Sequence, residues 1–509
     1  MTPIFDPSQI RYILPELLLT FCAVLILGLS TVRDAGSRTW APMLSILSCV
    51  MTLLAVLAYP WGLGGIDALR VPGAAMSVFN GMFILDAFAV LFKIIFLVAA
   101  ILTIMVSHRY LEIERANAGE YYALMLFAVV GMMFMASAGD FIAIFVALET
   151  MAISFYILVG FMKSNRKSNE AALKYFVLGS FSTGILLYGI SLIYGMTGTT
   201  NLGRIGMSGA AAAMNADQAP IFLLGVILLT VGLGFKIAAV PFHMWAPDAY
   251  EGAPTPITAF LSTASKAAAF VVLVRVFAVA FLQLGDQWAT LLAILAVGSM
   301  SLGNIAAILQ DNIKRMLAYS SISHAGYALM GVIAVGLGTS DETREFGLTS
   351  VILYMFIYTF VNIGAFALVI MLRRGHVVGD RVVDFAGLAQ RAPFASFAML
   401  VFMLSLAGIP ATAGFVGKWY LFGAAIKADY TWLAVVAVVN SAISLYYYAR
   451  VVVMMYVKEP ADDARLAPSL GQRLTIAACI TFTLVFGIYP EPIVSLAQRS
   501  ILALTPWGS

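Results

Sequence analysis

The sequence predicts an all-α polytopic membrane protein of about fourteen transmembrane helices, and three observations predict it. The 509-residue chain is 62% hydrophobic and only 11% charged, where a soluble domain carries about 25% charged residues. Apolar runs recur along its whole length, each near the about 20 residues that a helix needs to cross a bilayer. Lysines and arginines gather in alternate connections between those runs, as cytoplasmic loops require.

The first five spans run roughly 13–31, 40–59, 84–106, 121–138 and 140–162. The next five run roughly 170–196, 219–242, 255–281, 287–309 and 314–337. The last four run roughly 349–372, 393–424 (broken), 431–457 and 474–497. The N-terminus lacks a basic region followed by a cleavable small-residue site, so the first run reads as a retained helix. With the N-terminus outside, the inner connections hold sixteen basic residues, among them Arg33, Arg38, Arg109, Arg115, Lys314, Arg373, Arg374, Arg391, Arg465 and Arg473. The outer side holds six: Arg11, Arg70, Arg204, Arg344, Lys427 and Arg499. Both termini are therefore expected outside.

Composition also excludes. A net charge of +3 is too small to suggest a nucleic-acid partner. Cys22, Cys49 and Cys479 are too few and too far apart for an iron–sulfur or zinc site and read as small buried hydrophobes. Gly232-Leu-Gly234 and Gly336-Leu-Gly338 lack the third glycine and the strand of a dinucleotide site.

Two spans are broken by proline. The seventh ends in Ala239-Val-Pro241-Phe-His243, and the twelfth contains Gly408-Ile-Pro410 with apolar helix on both sides. Proline removes a backbone donor and clashes with the preceding turn. At membrane depth the freed carbonyls are tolerated only against protein or a wet cavity. The breaks lie five helices apart, so two five-helix units would run in opposite orientations, an inverted repeat. The expected organisation is an N-terminal three-helix segment (1–120), a first repeat of spans 4–8 (121–281), a second of spans 9–13 (287–457) and a last span (458–509).

Ionisable residues mark the interior. Glu149, Lys236, Lys266 and Lys418 lie in or beside four separate spans, although a lysine at bilayer depth costs at least about 2.5–3.5 kcal/mol. Such residues face a bundle interior or a water-filled path, and both signs together suggest a path for ions or protons. A free lysine holds its proton to about pH 10.4. Burial and a nearby cation favour release, and a carboxylate partner opposes it. A Glu–Lys pair that can be made and broken would switch a lysine between holding and releasing; a static ion pair that fixes packing is the alternative. Ser320, Ser323, His324 and Tyr327 fall on one face of the tenth span, and Tyr354, Tyr358 and Asn362 on one face of the next. Interhelical hydrogen bonding or a hydrated path explains such stripes. Lys93, Lys174, Arg275 and Arg450 can equally reach for the interface with their charged ends, Lys174 being the strongest exception. His243 suits a loop or a proton relay, and Asp248 and Glu251 read as loop acids that cap helices or bond backbone.

The stretch from Gly234 to Pro256 strongly resembles the signature of the antiporter-like subunits of respiratory complex I. Ala147-Leu-Glu-Thr150, Ser262-Thr-Ala-Ser-Lys-Ala267, Ile313 to Tyr327 and Gly414-Phe-Val-Gly-Lys418 fit the same family. The resemblance covers nearly the whole chain and implies fourteen helices with two inverted repeats. Bacterial complexes hold three such paralogues. The longest has extra C-terminal helices, whereas this chain stops after the fourteenth; the middle one has glutamate where Lys418 stands. Both points favour the subunit N branch. The resemblance implies a switch pair of Glu149 and Lys236, a relay of Lys266 and His324, and Lys418 as terminal carrier. It further implies a bacterial inner-membrane location and partners among neighbouring antiporter-like and small membrane subunits. NADH, FMN, iron–sulfur clusters and quinone are expected in the holo-complex, with no cofactor in this chain. Multisubunit cation/proton antiporters and proton-pumping membrane hydrogenases share the motifs, and a scaffold whose charges dock neighbours is a fourth reading.

Overall fold

The computed structural model describes residues 6–32, 37–62, 75–214, 219–373, 379–460, 466 and 468–501. Arg33, Arg70, Arg374 and Arg465, used for the orientation, lie outside the described residues, as does the side chain of Arg38. Among the described residues, thirteen helices are long and apolar enough to cross a membrane. In chain order these are α1 (Leu14–Val32), α2 (Ser37–Gly62), α3 (Ala87–Glu114), α4 (Ala118–Ser137), α5 (Phe141–Val159), α6 (Arg166–Thr197) and α7 (Ala219–Lys236). They continue with α8 (Thr255–Ala280), α9 (Gly285–Ile308), α10 (Ile313–Leu337) and α11 (Asp341–Leu372). The twelfth crossing is halved into α12a (Pro393–Ala407) and α12b (Ala413–Lys427), and α13 (Thr431–Tyr456) and α14 (Leu470–Ile488) follow.

The helices start where the sequence supplies caps. Asp86, Asn117, Asp140, Asn165, Asn312, Ser340 and Ser469 each accept a first-turn N–H at the head of a span. The spans also separate by burial. The apolar window of α8 is wholly buried, whereas α1, α6, α13 and α14 present most of theirs outward. A helix that is apolar all round belongs in the middle, so α8, α10 and α11 form the axis.

Glycines let helix pairs close on each other. A Cβ on Gly131 would meet the backbone of Ala147 and Met151 across the α4–α5 contact, and one on Gly326 would meet Ala296 and Met300 across α9–α10. The first two helices of each expected repeat are thus joined alike. Both breaks appear as well: Ala238 in one and Gly408 and Ala411 in the other have positive φ.

Three expectations change, and one element is added. The last span does not continue to 497: Pro490 follows its end at Ile488, and Glu491–Arg499 forms a separate short helix. A two-stranded hairpin, Ala75–Val78 (β1) with Phe83–Asp86 (β2), precedes α3 and turns through Asn80-Gly81. Lys93 does not reach an interface; it pairs with Glu16 at 2.6 Å, both side chains buried. Nor does Arg275, whose guanidinium grips both oxygens of Asp86 at 3.0 and 2.8 Å and donates to the Ala136 carbonyl at 2.7 Å. This fork ties α8 to the head of α3 and the tail of α4. Leaving either partner of such a pair alone in the interior would cost about 3–5 kcal/mol.

Candidate functional site

The structure arranges the predicted residues as two polar centres joined by a middle lysine. The first is at the α7 break. Lys236 is the last residue of α7, and its ammonium lies 4.0 Å from a Glu149 carboxylate oxygen on α5. Thr183 on α6 donates to that same oxygen at 2.9 Å. The lysine side chain is 3% exposed and the glutamate 25%, so Glu149 sits on the open flank of the pair rather than deep inside. Lys236 Nζ finds no hydrogen-bond acceptor among the described residues; the Tyr156 and Phe235 rings stand about it at 5.9 and 6.0 Å. Neighbours satisfy the break itself: Val240 N–H donates to Ser299 Oγ at 2.9 Å, and Trp245 Nε1 to the Phe235 carbonyl at 2.9 Å.

Lys266 occupies the wholly buried α8, directly after a π-helical turn at Leu261–Ser265. Its ammonium donates to the Ser321 hydroxyl at 2.6 Å and to the carbonyl of the same residue. Contacts lead back toward Lys236 through rings: Ser321 lies 3.5 Å from Tyr250, which packs edge-on to Trp245, which packs on Phe235. No continuous hydrogen-bond chain joins the two lysines among the described residues.

The second centre lies between α10, α11, α12 and α13. His324 Nδ1 meets the Tyr354 hydroxyl, and Nε2 lies 3.0 Å from that of Tyr448, which also bonds Ser320. Tyr358 packs tilted at 5.1 Å from the imidazole and accepts from Asn362, which donates to Ser262 one turn before Lys266. His324 and Lys418 line one small cavity. Lys418 Nζ donates to Ser441 at 2.8 Å and to the Ala407 carbonyl, the cut end of α12a, at 2.9 Å. Tyr327 lies beneath it at 4.9 Å and takes a hydrogen bond from Asn304.

The secondary candidates divide. Ser320 and Tyr327 join the second centre. Ser323 does not: it donates to the Tyr319 carbonyl and packs against Gly303 of α9, because it lies one side of the His324 face. Lys174 pairs with Glu170 and Asp248, both at 2.8 Å, in a cluster away from the buried lysines. That cluster also corrects the reading of Asp248 and Glu251. They lie on a short helix, Trp245–Gly252, and bind Lys167, Lys174 and Arg315 rather than backbone. Partial burial opposes their ionisation, but the surrounding cations outweigh it and hold both carboxyls below the usual carboxylate range. His243 is half-buried beside the break, and its Nδ1 bonds to none of the described residues.

Thr183, Asn304, Ser321, Asn440, Ser441, Tyr447 and Tyr448 were not singled out from the sequence. The run Tyr446-Tyr-Tyr448 and the polar Asn440, Ser441 and Ser444 interrupt an apolar span. Polar side chains there turn to the bundle interior, which is the signal that points to α13 as a wall of the site.

Residues 138–444, which contain Glu149, Lys236, Lys266, His324 and Lys418, match the family model described as NADH:quinone oxidoreductase/Mrp antiporter, transmembrane. NADH-quinone oxidoreductase subunit N of Trichlorobacter lovleyi is 44% identical over 501 residues, covering 98% of both chains. The chain belongs to the subunit N family of NADH-quinone oxidoreductase. A chain in the structure of respiratory complex I from Thermus thermophilus with bound aureothin is 30% identical, with a TM-score of 0.77 over 95% of this chain and 99% of that one. A chain of the Mrp complex from Dietzia sp. DQ12-45-1b has a TM-score of 0.80 at 23% identity, over 96% of this chain and 97% of that one. The fold is therefore shared with Mrp complexes, while the closer sequence relationship is to the subunit N family.

Proposed function

We propose that the chain is a proton-translocating membrane subunit of NADH-quinone oxidoreductase, coupling electron transfer in partner subunits to proton pumping. The observation that carries this reading is the line of ionisable groups, buried Lys236 with partly exposed Glu149, then buried Lys266, then buried His324 with Lys418, within a scaffold of the subunit N family.

Each group has a distinct task. Lys236 holds a proton while Glu149 stands beside it, and loses that electrostatic support when the pair opens. The Phe235–Trp245–Tyr250 rings separate this step from Lys266, so transfer requires them to rearrange. Ser321 and the Ser262–Asn362–Tyr358 contacts lead from Lys266 toward the imidazole. His324, held by two tyrosine hydroxyls, passes the proton to Lys418, which delivers it to the outer side. Moving one charge against about 100 mV requires roughly 2.3 kcal/mol, and quinone chemistry elsewhere in the complex supplies it. Spans 4–8 and 9–13 act as two inverted units. The chain lies in the bacterial inner membrane with both termini periplasmic, against neighbouring antiporter-like and small membrane subunits. NADH, FMN, iron–sulfur clusters and quinone belong to the electron-transferring subunits elsewhere in the holo-complex.

Lys236→Met tests this in inverted membrane vesicles, with assembly checked on native gels. We expect an assembled complex whose NADH–quinone turnover and proton uptake fall together. Normal turnover and uptake in an assembled complex would overturn the switch-pair role. The matching fold of an Mrp complex supports a second reading, cation/proton antiport; sodium-dependent antiport lost while NADH oxidation persists would establish that one.

A further inference from the structure

We propose that the Tyr156 hydroxyl is a second partner of Lys236, taking its ammonium when the pair with Glu149 opens. The inference rests on the proton-translocating reading above and deepens it. Tyr156 follows Glu149 by seven residues on α5, two helical turns along the same face. Its hydroxyl is buried and bonds to none of the described residues, and Lys236 Nζ shares both properties. That Nζ stands 5.9 Å from the centre of the Tyr156 ring and 4.0 Å from the Glu149 carboxylate. Two buried polar groups left without partners so close together are costly unless they meet in another arrangement.

The face of α6 sets the two partners side by side. Thr183 holds the Glu149 carboxylate, and Gly179, one turn earlier, admits the Tyr156 hydroxyl so closely that a Cβ there would collide with it. Four residues of helix advance about 6 Å, a separation that the flexible stem of a lysine spans. The tyrosine ring is fixed: it packs edge-on against Tyr175 at 4.7 Å and Phe176 at 5.6 Å, and Tyr175 stacks on Trp245 at 4.5 Å. The amine is therefore the mobile member. A carboxylate supports only the ammonium form, whereas a hydroxyl accepts from an ammonium and donates to a neutral amine. The phenol keeps its own proton in both arrangements. Beside Glu149 the lysine is held charged; beside Tyr156 it is bonded in either state, and release of its proton toward Lys266 is no longer opposed.

The test uses the intact complex in inverted membrane vesicles, with NADH–quinone turnover and proton uptake scaled to the amount of complex on native gels. Tyr156→Phe keeps the ring and its packing and removes only the hydroxyl. It is expected to lower turnover and uptake together about fivefold, the loss of one hydrogen bond, in a normal amount of complex. 4-Aminophenylalanine at position 156 puts a nitrogen that donates and accepts where the hydroxyl stands, and should recover most of the loss. A role in packing alone would leave the two variants alike. Unchanged turnover in Tyr156→Phe, or equal losses in both variants, would overturn the proposal. Failure of Tyr156→Phe to assemble would assign the hydroxyl to folding and overturn it too. Failure of the underlying reading looks different: Lys236→Met would then pump normally, whereas failure of this inference alone leaves Lys236→Met impaired and Tyr156→Phe normal.

Discussion

The two broken spans hold their lysines in opposite ways. Lys236 ends the half-helix before its break and faces a carboxylate 4.0 Å away, with aromatic rings on its other sides. Lys418 stands in the half-helix after its break and faces neutral acceptors, the Ser441 hydroxyl and the Ala407 carbonyl, with His324 across a small cavity. A full charge acts over several ångströms and changes sharply when it moves, whereas hydroxyls and carbonyls act only at contact distance. The first centre is therefore suited to electrostatic switching, and the second to handing a proton along a fixed network. The proposed roles of the two broken spans differ because the groups facing the lysine differ.

The comparison can be broken by making the second centre resemble the first. Ser441→Asp places a carboxylate beside Lys418, where an added opposite charge at about 4 Å contributes up to about 4 kcal/mol. We expect Lys418 to retain its proton and coupled turnover in membrane vesicles to fall at least about tenfold; unchanged turnover would refute the contrast. The converse change, Glu149→Gln, keeps shape and removes the charge. It should lower turnover and proton uptake together by about tenfold, a usual coupling energy between linked sites, while Gln in the complex still assembles. Tyr448→Phe sharpens the description of the second centre by removing one hydroxyl from His324. A net hydrogen bond contributes about 1 kcal/mol, so turnover should fall about fivefold, with no change in the amount of complex.

The smallest effect concerns the acid–base cluster on the short helix Trp245–Gly252, apart from the buried lysines. The carboxyls of Asp248 and Glu251 are held below their ordinary values by Lys174, Lys167 and Arg315. A carboxyl whose folded value is depressed contributes stability above its ordinary pKa and loses it as pH falls through the folded value. Hydrogen exchange of the helix Trp245–Gly252 should thus be insensitive to titration of Asp248 at neutral pH, and its protection should fail only below the ordinary value of 3.8. Loss of protection near neutrality would show that these carboxyls are not held below their ordinary values.

Much of this was legible from the sequence, for reasons that differ by element. Long apolar runs and cap residues such as Asp86 and Asn312 give the spans, because backbone groups in lipid must pair within a helix. Buried charges give Lys236, Lys266 and Lys418, because each stands alone in an apolar run. What escaped depends on partners distant in sequence. Arg275 and Lys93 look like residues reaching for an interface until Asp86 and Glu16 are brought against them. Ser321 lies beside the stripe of Ser320 and His324 and serves a different helix, and only the placement of α8 reveals it. The hairpin before α3 was marked by Asn80-Gly81, a favoured turn pair, but its strands are too short to stand out beside membrane spans.

The bond from Lys418 to the Ala407 carbonyl has a mechanical consequence. The end of α12a carries the negative pole of the half-helix, and the ammonium neutralises it. When the proton leaves, that pole loses its counter-charge, while Gly408 and Ala411, both in left-handed backbone conformations, form the joint between the two halves. In the proposed path, a change in one proton would thereby become a torque on a lever whose far arm, α12b, packs against α10, α11 and α14. Stroke and charge are joined at a single amine.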